Sequence, residues 1–133
     1  MKILICEDEP IMMLVLTAIL KKLEYKVICS KDGKEAIDLI NSESPDMVIT
    51  DMLLPILSGT EIISYINNLP GKKIPVILLS SMPVHILKDN EGDFPADGYL
   101  MKPVLPQQLK DKIEELKSIK RSITAHDISF SLQ

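Results

Sequence analysis

The chain has 133 residues, which fits one domain and leaves no room for two. Apolar residues make up 46% of the sequence and charged residues 26%, which excludes a wholly disordered chain, and the absence of tryptophan predicts a core of Ile, Leu, Val and Met. The net charge of −4 argues against a protein that binds nucleic acid non-specifically, because it forces no cationic surface.

The first third of the chain predicts two strands and two helices. Residues 2–6 form a continuous apolar run that ends in acids, as a strand buried on both faces does. A helix is predicted from Pro10, since proline suits a first helical turn. The inward stripe of this helix is predicted to consist of Val15, Leu16, Ile19, Leu20 and Leu23. Residues 25–30 predict a second strand, and Asp32 with Glu35 predicts the start of a second helix.

The remaining sequence continues the alternation of strands and helices. Further strands are predicted over residues 47–50, 75–79 and 99–101. A third helix follows Gly59, a short helix is predicted over residues 83–90, and a last helix begins at Pro106. Strands that alternate with helices imply right-handed crossovers and a parallel sheet covered on both faces. The sequence therefore predicts a three-layer, doubly wound α/β domain.

We expect the domain to occupy residues 1–120 and residues 121–133 to form a C-terminal tail. In this tail, Ile128, Phe130 and Leu132 alternate with serines, a pattern typical of a half-buried strand. The alternative is a frayed terminus.

No membrane or secretory segment is predicted. The longest nearly apolar run, residues 11–20, is shorter than the ~20 residues that span a bilayer. Acids cut off the first apolar run, which argues against a signal peptide. We therefore expect a cytoplasmic protein without membrane insertion, in which Cys6 and Cys29 are small core residues and form neither a disulfide nor a zinc site.

Polar side chains follow four of the predicted strands. Glu7 and Asp8 follow the first, Asp51 the third, Ser80 the fourth and Lys102 the fifth. In an open parallel sheet these positions share one edge, where ligands bind. Clustered carboxylates remain ionised at neutral pH when a cation joins them, and an all-oxygen cluster favours a hard cation such as Mg²⁺.

Four segments together resemble the motifs of response regulator receiver domains of two-component signalling. They are residues 2–10 (KILICEDEP), 51–59 (DMLLPILSG), 76–81 (VILLSS) and 98–103 (GYLMKP). The resemblance extends over about residues 1–120 and implies a flavodoxin-like sheet with strand order 2-1-3-4-5.

The resemblance implies that Asp51 accepts a phosphoryl group from a phosphohistidine on a histidine kinase or a histidine phosphotransfer protein. It implies that Asp8, Asp51 and the backbone carbonyl of Leu53 bind Mg²⁺, with Glu7 acting through a water. Lys102 would help to neutralise the charge of the phosphoryl group.

Two further residues are implied to respond to phosphorylation. Ser80 would donate a hydrogen bond to a phosphoryl oxygen, and Tyr99 would turn into the space that Ser80 leaves. The alternatives are a strand-end hydroxyl and a half-buried aromatic side chain. The resemblance also implies a cis peptide bond between Lys102 and Pro103.

The sequence departs from the usual receiver pattern at four positions. Glu7 and Ser80 stand where Asp and Thr are commoner, Ser81 replaces the usual Ala, and Ser58 stands where Asp often precedes the glycine. The first three changes are chemically compatible with the expected site. A larger departure is the irregular segment over residues 90–98, which leaves the downstream target of the signal open.

The first helix is apolar beyond its inward stripe, so it is either buried all round or exposes a contact surface. Because a helix of a doubly wound domain has an outer face, the contact surface is favoured. We expect the histidine-bearing partner to dock on Met12, Met13, Leu14 and the loop after Asp51.

The expected role is that of a signalling protein that assists its own phosphorylation and dephosphorylation, not that of an enzyme. One alternative is a receiver-like interaction module that takes no phosphate, but such modules normally lack an acid or the lysine of the site. Another is an aspartyl-nucleophile phosphatase, which typically needs a second acid two residues after the nucleophile, where this chain has Leu53.

Overall fold

The computed structural model describes residues 1–71, 73–83 and 96–131, with side chains as far as residue 118. These residues form strands β1 (Lys2–Cys6), β2 (Lys26–Ser30), β3 (Met47–Asp51), β4 (Val76–Ser80) and β5 (Gly98–Met101). They also form helices α1 (Pro10–Lys22), α2 (Gly33–Glu43), α3 (Gly59–Asn67) and α4 (Pro106–Ser131). The short helix predicted over residues 83–90 lies, apart from Pro83, outside the described residues, as does most of the irregular segment that follows it.

The five strands form one parallel sheet in the order β2-β1-β3-β4-β5, which confirms the predicted topology. All four pairings between strands are parallel, so all five carboxyl ends lie at the same edge. The chain reverses direction across the sheet between β1 and β3. This is the switch point at which α/β sheets bind ligands.

Two apolar layers enclose the sheet and confirm the three-layer architecture. Alternate residues of β1 enter different layers: Ile3 and Ile5 pack with α1 and α4, whereas Leu4 and Cys6 pack with α2 and α3. Among the side chains that the structure describes, the buried hydrophobic ones on the helices are Leu16 and Leu20 of α1, Ala36 and Ile40 of α2, Ile62, Ile63 and Ile66 of α3, and Leu109, Ile113 and Leu116 of α4. The edge of the sheet where β1 and β3 end therefore lies between two packed layers.

Acidic side chains cap the first two helices. The Asp32 carboxylate accepts a hydrogen bond from the Glu35 N–H at 2.8 Å, as predicted for the start of α2. The Glu9 carboxylate accepts hydrogen bonds from the N–H groups of Ile11 and Met12, at 3.1 and 2.6 Å. The Glu9 carboxylate is therefore used to cap α1, unlike the carboxylates of the two acids that precede it.

The predicted inward stripe of α1 is wrong at Val15, which is 42% exposed. Met12 and Met13 occupy the edges of the stripe instead and pack against the core between the sheet and α1. The reason is geometric, because Val15 lies about 100° around the helix from the buried Leu16.

The predicted core position is confirmed for Cys6 and wrong for Cys29. Cys6 is buried, and burial raises the pKa of its thiol to about 12. Cys29 is exposed because β2 is an edge strand whose outer face is only partly covered.

The last helix continues to Ser131, so the strand pattern noted in the tail forms no strand up to that residue. Proline and glycine, the residues that most strongly end helices, are absent between Pro106 and Ser131. The division predicted at residue 120 falls within α4 and stays a prediction. Of the helices described, none is long and apolar enough to span a membrane.

Candidate functional site

Three carboxylates meet where β1 and β3 end. Glu7 and Asp8 follow β1 directly, and Asp51 is the last residue of β3. One carboxylate oxygen from each lies within 4.8 Å of the other two. The structure thus brings together the three acids that the sequence placed at this edge.

The Lys102 ammonium joins two of these carboxylates. Its Nζ donates to Asp51 Oδ2 at 2.9 Å and to Glu7 Oε2 at 3.1 Å. The side chains are largely withdrawn from water, with exposed fractions of 19% for Lys102, 14% for Asp51 and 1% for Glu7. The Lys102 backbone N–H also donates to the Ser80 carbonyl at 2.8 Å, and its peptide bond to Pro103 is cis, as expected.

The pKa values of Glu7 and Lys102 shift for identifiable reasons. Burial raises the pKa of Glu7, and the Lys102 hydrogen bond offsets only part of that effect. Burial alone would lower the pKa of Lys102, but its hydrogen bonds to Asp51 and Glu7 outweigh burial and raise it. Three carboxylates and one ammonium leave two formal negative charges, which a divalent cation would offset.

Glu7 is a longer acid than the aspartate common in receivers, and the structure shows what its length does. Its Oε2 reaches Lys102, while its Oε1 accepts the N–H of Glu9 at 3.2 Å. Both oxygens of the buried carboxylate are therefore hydrogen-bonded within the protein. Its expected contact with a metal through water stays a prediction.

Ser80 ends β4, beside the end of β3, and is buried. Its hydroxyl donates to the thioether sulfur of Met52 at 3.6 Å and accepts the N–H of Met82 at 3.0 Å. Tyr99, on the neighbouring strand, is also buried, and its hydroxyl accepts the N–H of Ala96 at 3.1 Å. Sequence reasoning missed Met52, whose only signal is its position after Asp51.

The loop after Asp51 returns tightly to the strand. The Gly59 N–H donates to the Met52 carbonyl at 2.9 Å, and a Cβ at Gly59 would overlap the Asp51 carbonyl oxygen, so no larger residue fits. Ser58 accepts the N–H of Glu61 at 3.2 Å and caps α3, which explains how serine serves in place of the usual aspartate. Leu53, between these contacts, is largely exposed.

The sequence matches the family model described as response regulator receiver domain over residues 3–114. Among curated proteins it is 29% identical over 127 residues to ycf27 of Guillardia theta, whose name describes a probable transcriptional regulator. That match covers 94% of this chain and 49% of the relative, so the chain spans about half the length of that protein.

Solved receiver domains share the fold. One is the receiver domain of the sensor histidine kinase PA1611 from Pseudomonas aeruginosa, with a magnesium ion in its active site cleft. It is 27% identical, with a TM-score of 0.77, and the match covers 86% of this chain and 94% of that chain. Another is the BeF3-activated N-terminal receiver domain of RstA from Klebsiella pneumoniae, which is 26% identical with a TM-score of 0.75. That match covers 86% of this chain and 96% of the RstA chain.

Proposed function

The chain belongs to the family of response regulator receiver domains, and from that premise we propose that Asp51 is the phosphoacceptor in a two-component or phosphorelay pathway. The observation that supports this role most directly is the contact of the Asp51 carboxylate with the Lys102 ammonium at 2.9 Å, beside two further carboxylates at the switch point of the sheet. The chain has both the acids and the lysine expected of a phosphate-accepting site. This argues against a receiver-like interaction module that accepts no phosphoryl group.

The proposed step moves a phosphoryl group from nitrogen to oxygen. An oxygen of Asp51 forms a bond to phosphorus while the bond between phosphorus and the imidazole nitrogen of phosphohistidine breaks. The imidazole leaves with the bonding electron pair and takes up a proton from solvent. Lys102 keeps its proton and stabilises the negative phosphoryl oxygens, so the protein contributes mainly position and charge.

The donor set fits Mg²⁺. The acidic cluster offers only carboxylate oxygens, the ligands that a hard cation prefers. We assign Asp8, Asp51 and the Leu53 carbonyl as protein ligands, with Glu7 acting through a water. When bound, Mg²⁺ offsets the charge of the transferring phosphoryl group. The PA1611 receiver domain, with magnesium in its active site cleft, supports the assignment.

The switch is assigned to Ser80 and Tyr99. Once Asp51 is phosphorylated, the Ser80 hydroxyl would donate to a phosphoryl oxygen, and Tyr99 would turn into the space that opens. The adjacency of β3 and β4 supports this, since Asp51 pairs with Leu79, next to Ser80. The downstream protein that recognises the phosphorylated conformation belongs to the rest of the signalling pathway.

The partner that supplies the phosphoryl group is assigned as a histidine kinase or a histidine phosphotransfer protein. Of the residues predicted to contact it, Leu14 is 70% exposed and Ile11 beside it 69%. Met12 and Met13 are half-buried and pack against the core. We therefore assign the docking surface to Ile11, Leu14 and Val15 of α1, together with the loop after Asp51.

We propose no turnover of an external substrate, since position 53 has the exposed Leu53 where an aspartyl phosphatase needs its second acid. The cytoplasmic location likewise stays a prediction.

Incubation with phosphoramidate and Mg²⁺, followed by intact mass spectrometry, tests the proposal. The wild type is expected to gain one phosphoryl group, and Asp51→Asn none. Asp8→Asn should bind Mg²⁺ more weakly, on the order of tenfold, because a charged ligand is lost. Asp38→Asn makes the same charge change at an exposed position of α2 and should behave as wild type. Unaltered phosphorylation of Asp51→Asn would refute the assignment.

A further inference from the structure

The hydroxyl of Ser80 already has an acceptor before any phosphoryl group arrives. Its single hydrogen points to the Met52 sulfur, 3.6 Å from the hydroxyl oxygen. Its oxygen meanwhile accepts the Met82 N–H at 3.0 Å. Since a hydroxyl donates one hydrogen, Ser80 cannot donate to Met52 and to a phosphoryl oxygen at the same time.

Met52 is poorly able to follow Ser80. Its N–H donates to the Leu79 carbonyl at 2.9 Å, and its carbonyl accepts the Gly59 N–H at 2.9 Å. Its side chain packs against the apolar layer of α2 and α3. The backbone of Met52 is thus held on both sides while its side chain contacts the apolar layer.

We propose that Met52 is a positioning residue that holds the Ser80 hydroxyl in the unphosphorylated protein and competes with the phosphoryl group for its hydrogen. Thioether sulfur is a weak acceptor, so it holds the hydroxyl without blocking the switch. The acceptor strength at position 52 then sets how readily the phosphorylated conformation forms. The inference rests on the proposed role of Ser80 in binding the phosphoryl group.

Beryllofluoride with Mg²⁺ is the probe, because the RstA receiver domain was activated by BeF3. Met52→Leu removes the acceptor at similar volume, and Met52→Gln supplies a stronger one. The dissociation constant of beryllofluoride is expected to fall roughly twofold to fivefold in Met52→Leu and to rise by a similar factor in Met52→Gln. Shifts of both variants in the same direction would indicate a general packing effect and refute the role of Met52. Met47→Leu, a fully buried methionine on the other face of the sheet, serves as the control and should match wild type.

A double-mutant cycle ties the effect to the hydroxyl. In a Ser80→Ala background, Met52→Leu is expected to leave the dissociation constant unchanged, because there is no hydrogen to compete for. In wild type, the ¹³C resonance of the Met52 methyl group should shift on binding, and by less in Ser80→Ala. This signal needs no substitution at Met52 and therefore remains informative if those variants fold poorly.

The outcomes separate the two proposals. If wild type binds beryllofluoride but Met52→Leu and Met52→Gln match it, or if the Met52→Leu effect persists in Ser80→Ala, the role of Met52 is refuted and the proposed function stands. If wild type and all variants fail to bind beryllofluoride, the proposed function fails and the role of Met52 falls with it.

Discussion

At the scale of single residues, Lys102 connects the stability of the domain to its chemistry. The same ammonium that would stabilise phosphoryl oxygens bridges Asp51 and Glu7 in the unphosphorylated protein. Removing one member of a largely buried ion pair leaves the other charge buried without a partner, and this lowers the free energy of unfolding by more than the loss of an exposed pair does. Removal of Lys102 should therefore affect folding as well as phosphorylation.

The pH dependence of stability tests the Lys102 bridge. A lysine whose pKa is raised by folding contributes stability that is fully present below its unfolded-state pKa of ~10.4 and is lost as the pH rises through the folded-state pKa. Lys102→Gln is expected to lower the free energy of unfolding by about 2 kcal/mol at neutral pH. The difference from wild type should shrink in more alkaline solution, as measured by urea unfolding at several pH values. The exposed Lys22→Gln is the control, and a Lys102→Gln difference that does not vary with pH would contradict the bridge.

The lifetime of the phosphoryl group is predicted from two apolar residues. Leu53 and Met82, each two positions beyond a site residue, are exposed and cannot orient an attacking water. We expect slow self-hydrolysis, and the double variant Leu53→Asn with Met82→Glu should lose phosphate about tenfold faster or more. Phosphate release from the purified phosphoprotein measures the rate. Ile56→Asn, an exposed position in the same loop, controls for polarity, and equal rates in the double variant and wild type would refute the idea.

Single residues also show how far the sequence alone reaches. Asp8, Asp51 and Lys102 were predictable, because their chemistry and their positions after buried runs point to one sheet edge. The contact between Ser80 and Met52 was not predictable. It depends on the direction of the Met52 side chain and on the path of the loop after Asp51, and the spacing of residues in the sequence determines neither.

At the scale of elements, the strands were predicted to within a residue or two at each end, because each is a buried apolar run bounded by polar or turn residues. The errors concern two residues that were predicted to be buried and are exposed to solvent. Val15 and Cys29 are apolar, yet the edge position of β2 and the rotation of α1 leave them exposed. Periodicity identifies a stripe but does not fix which neighbouring element covers its margins.

The exposed face of α1 leads to a prediction about phosphotransfer. Leu14→Lys places a charge on the proposed docking surface without burying it, since Leu14 is largely exposed. Transfer from a phosphohistidine-bearing partner is expected to slow, and phosphorylation by phosphoramidate to stay unchanged. Ser42→Lys adds the same charge on α2, on the other side of the sheet, and should affect neither reaction. Equal loss of both reactions in Leu14→Lys would indicate damage to the site and contradict docking on this surface.

At the scale of the whole molecule, the family match ends at residue 114, whereas α4 continues to Ser131. Among the side chains of this helix that the structure describes, which reach residue 118, the buried ones are Leu109, Ile113 and Leu116. The site lies at the carboxyl ends of the strands, close to the first turn of α4. The later turns of α4 lie toward the opposite ends of the strands. The later turns of α4 are therefore expected to be dispensable for phosphorylation.

Truncation tests that division of the chain. A protein that ends at Lys120 is expected to keep the phosphorylation rate of the full chain and a closely similar melting temperature. A protein that ends at Lys112 loses Ile113 and Leu116 and should be less stable by more than about 3 kcal/mol. A strong loss of phosphorylation or stability on truncation at Lys120 would mean that the domain extends further along α4.

The proposed function requires that one aspartate, at the end of β3, carries the phosphoryl group. Borohydride reduces an aspartyl phosphate to homoserine and so marks the modified position permanently. After incubation with phosphoramidate and Mg²⁺, reduction and peptide mapping by mass spectrometry are predicted to find homoserine at position 51 in wild type and at no position in Asp51→Asn. Homoserine at Asp8 or another acid, or a phosphoryl group retained on a serine or histidine instead, would refute the role of Asp51 as the phosphoacceptor.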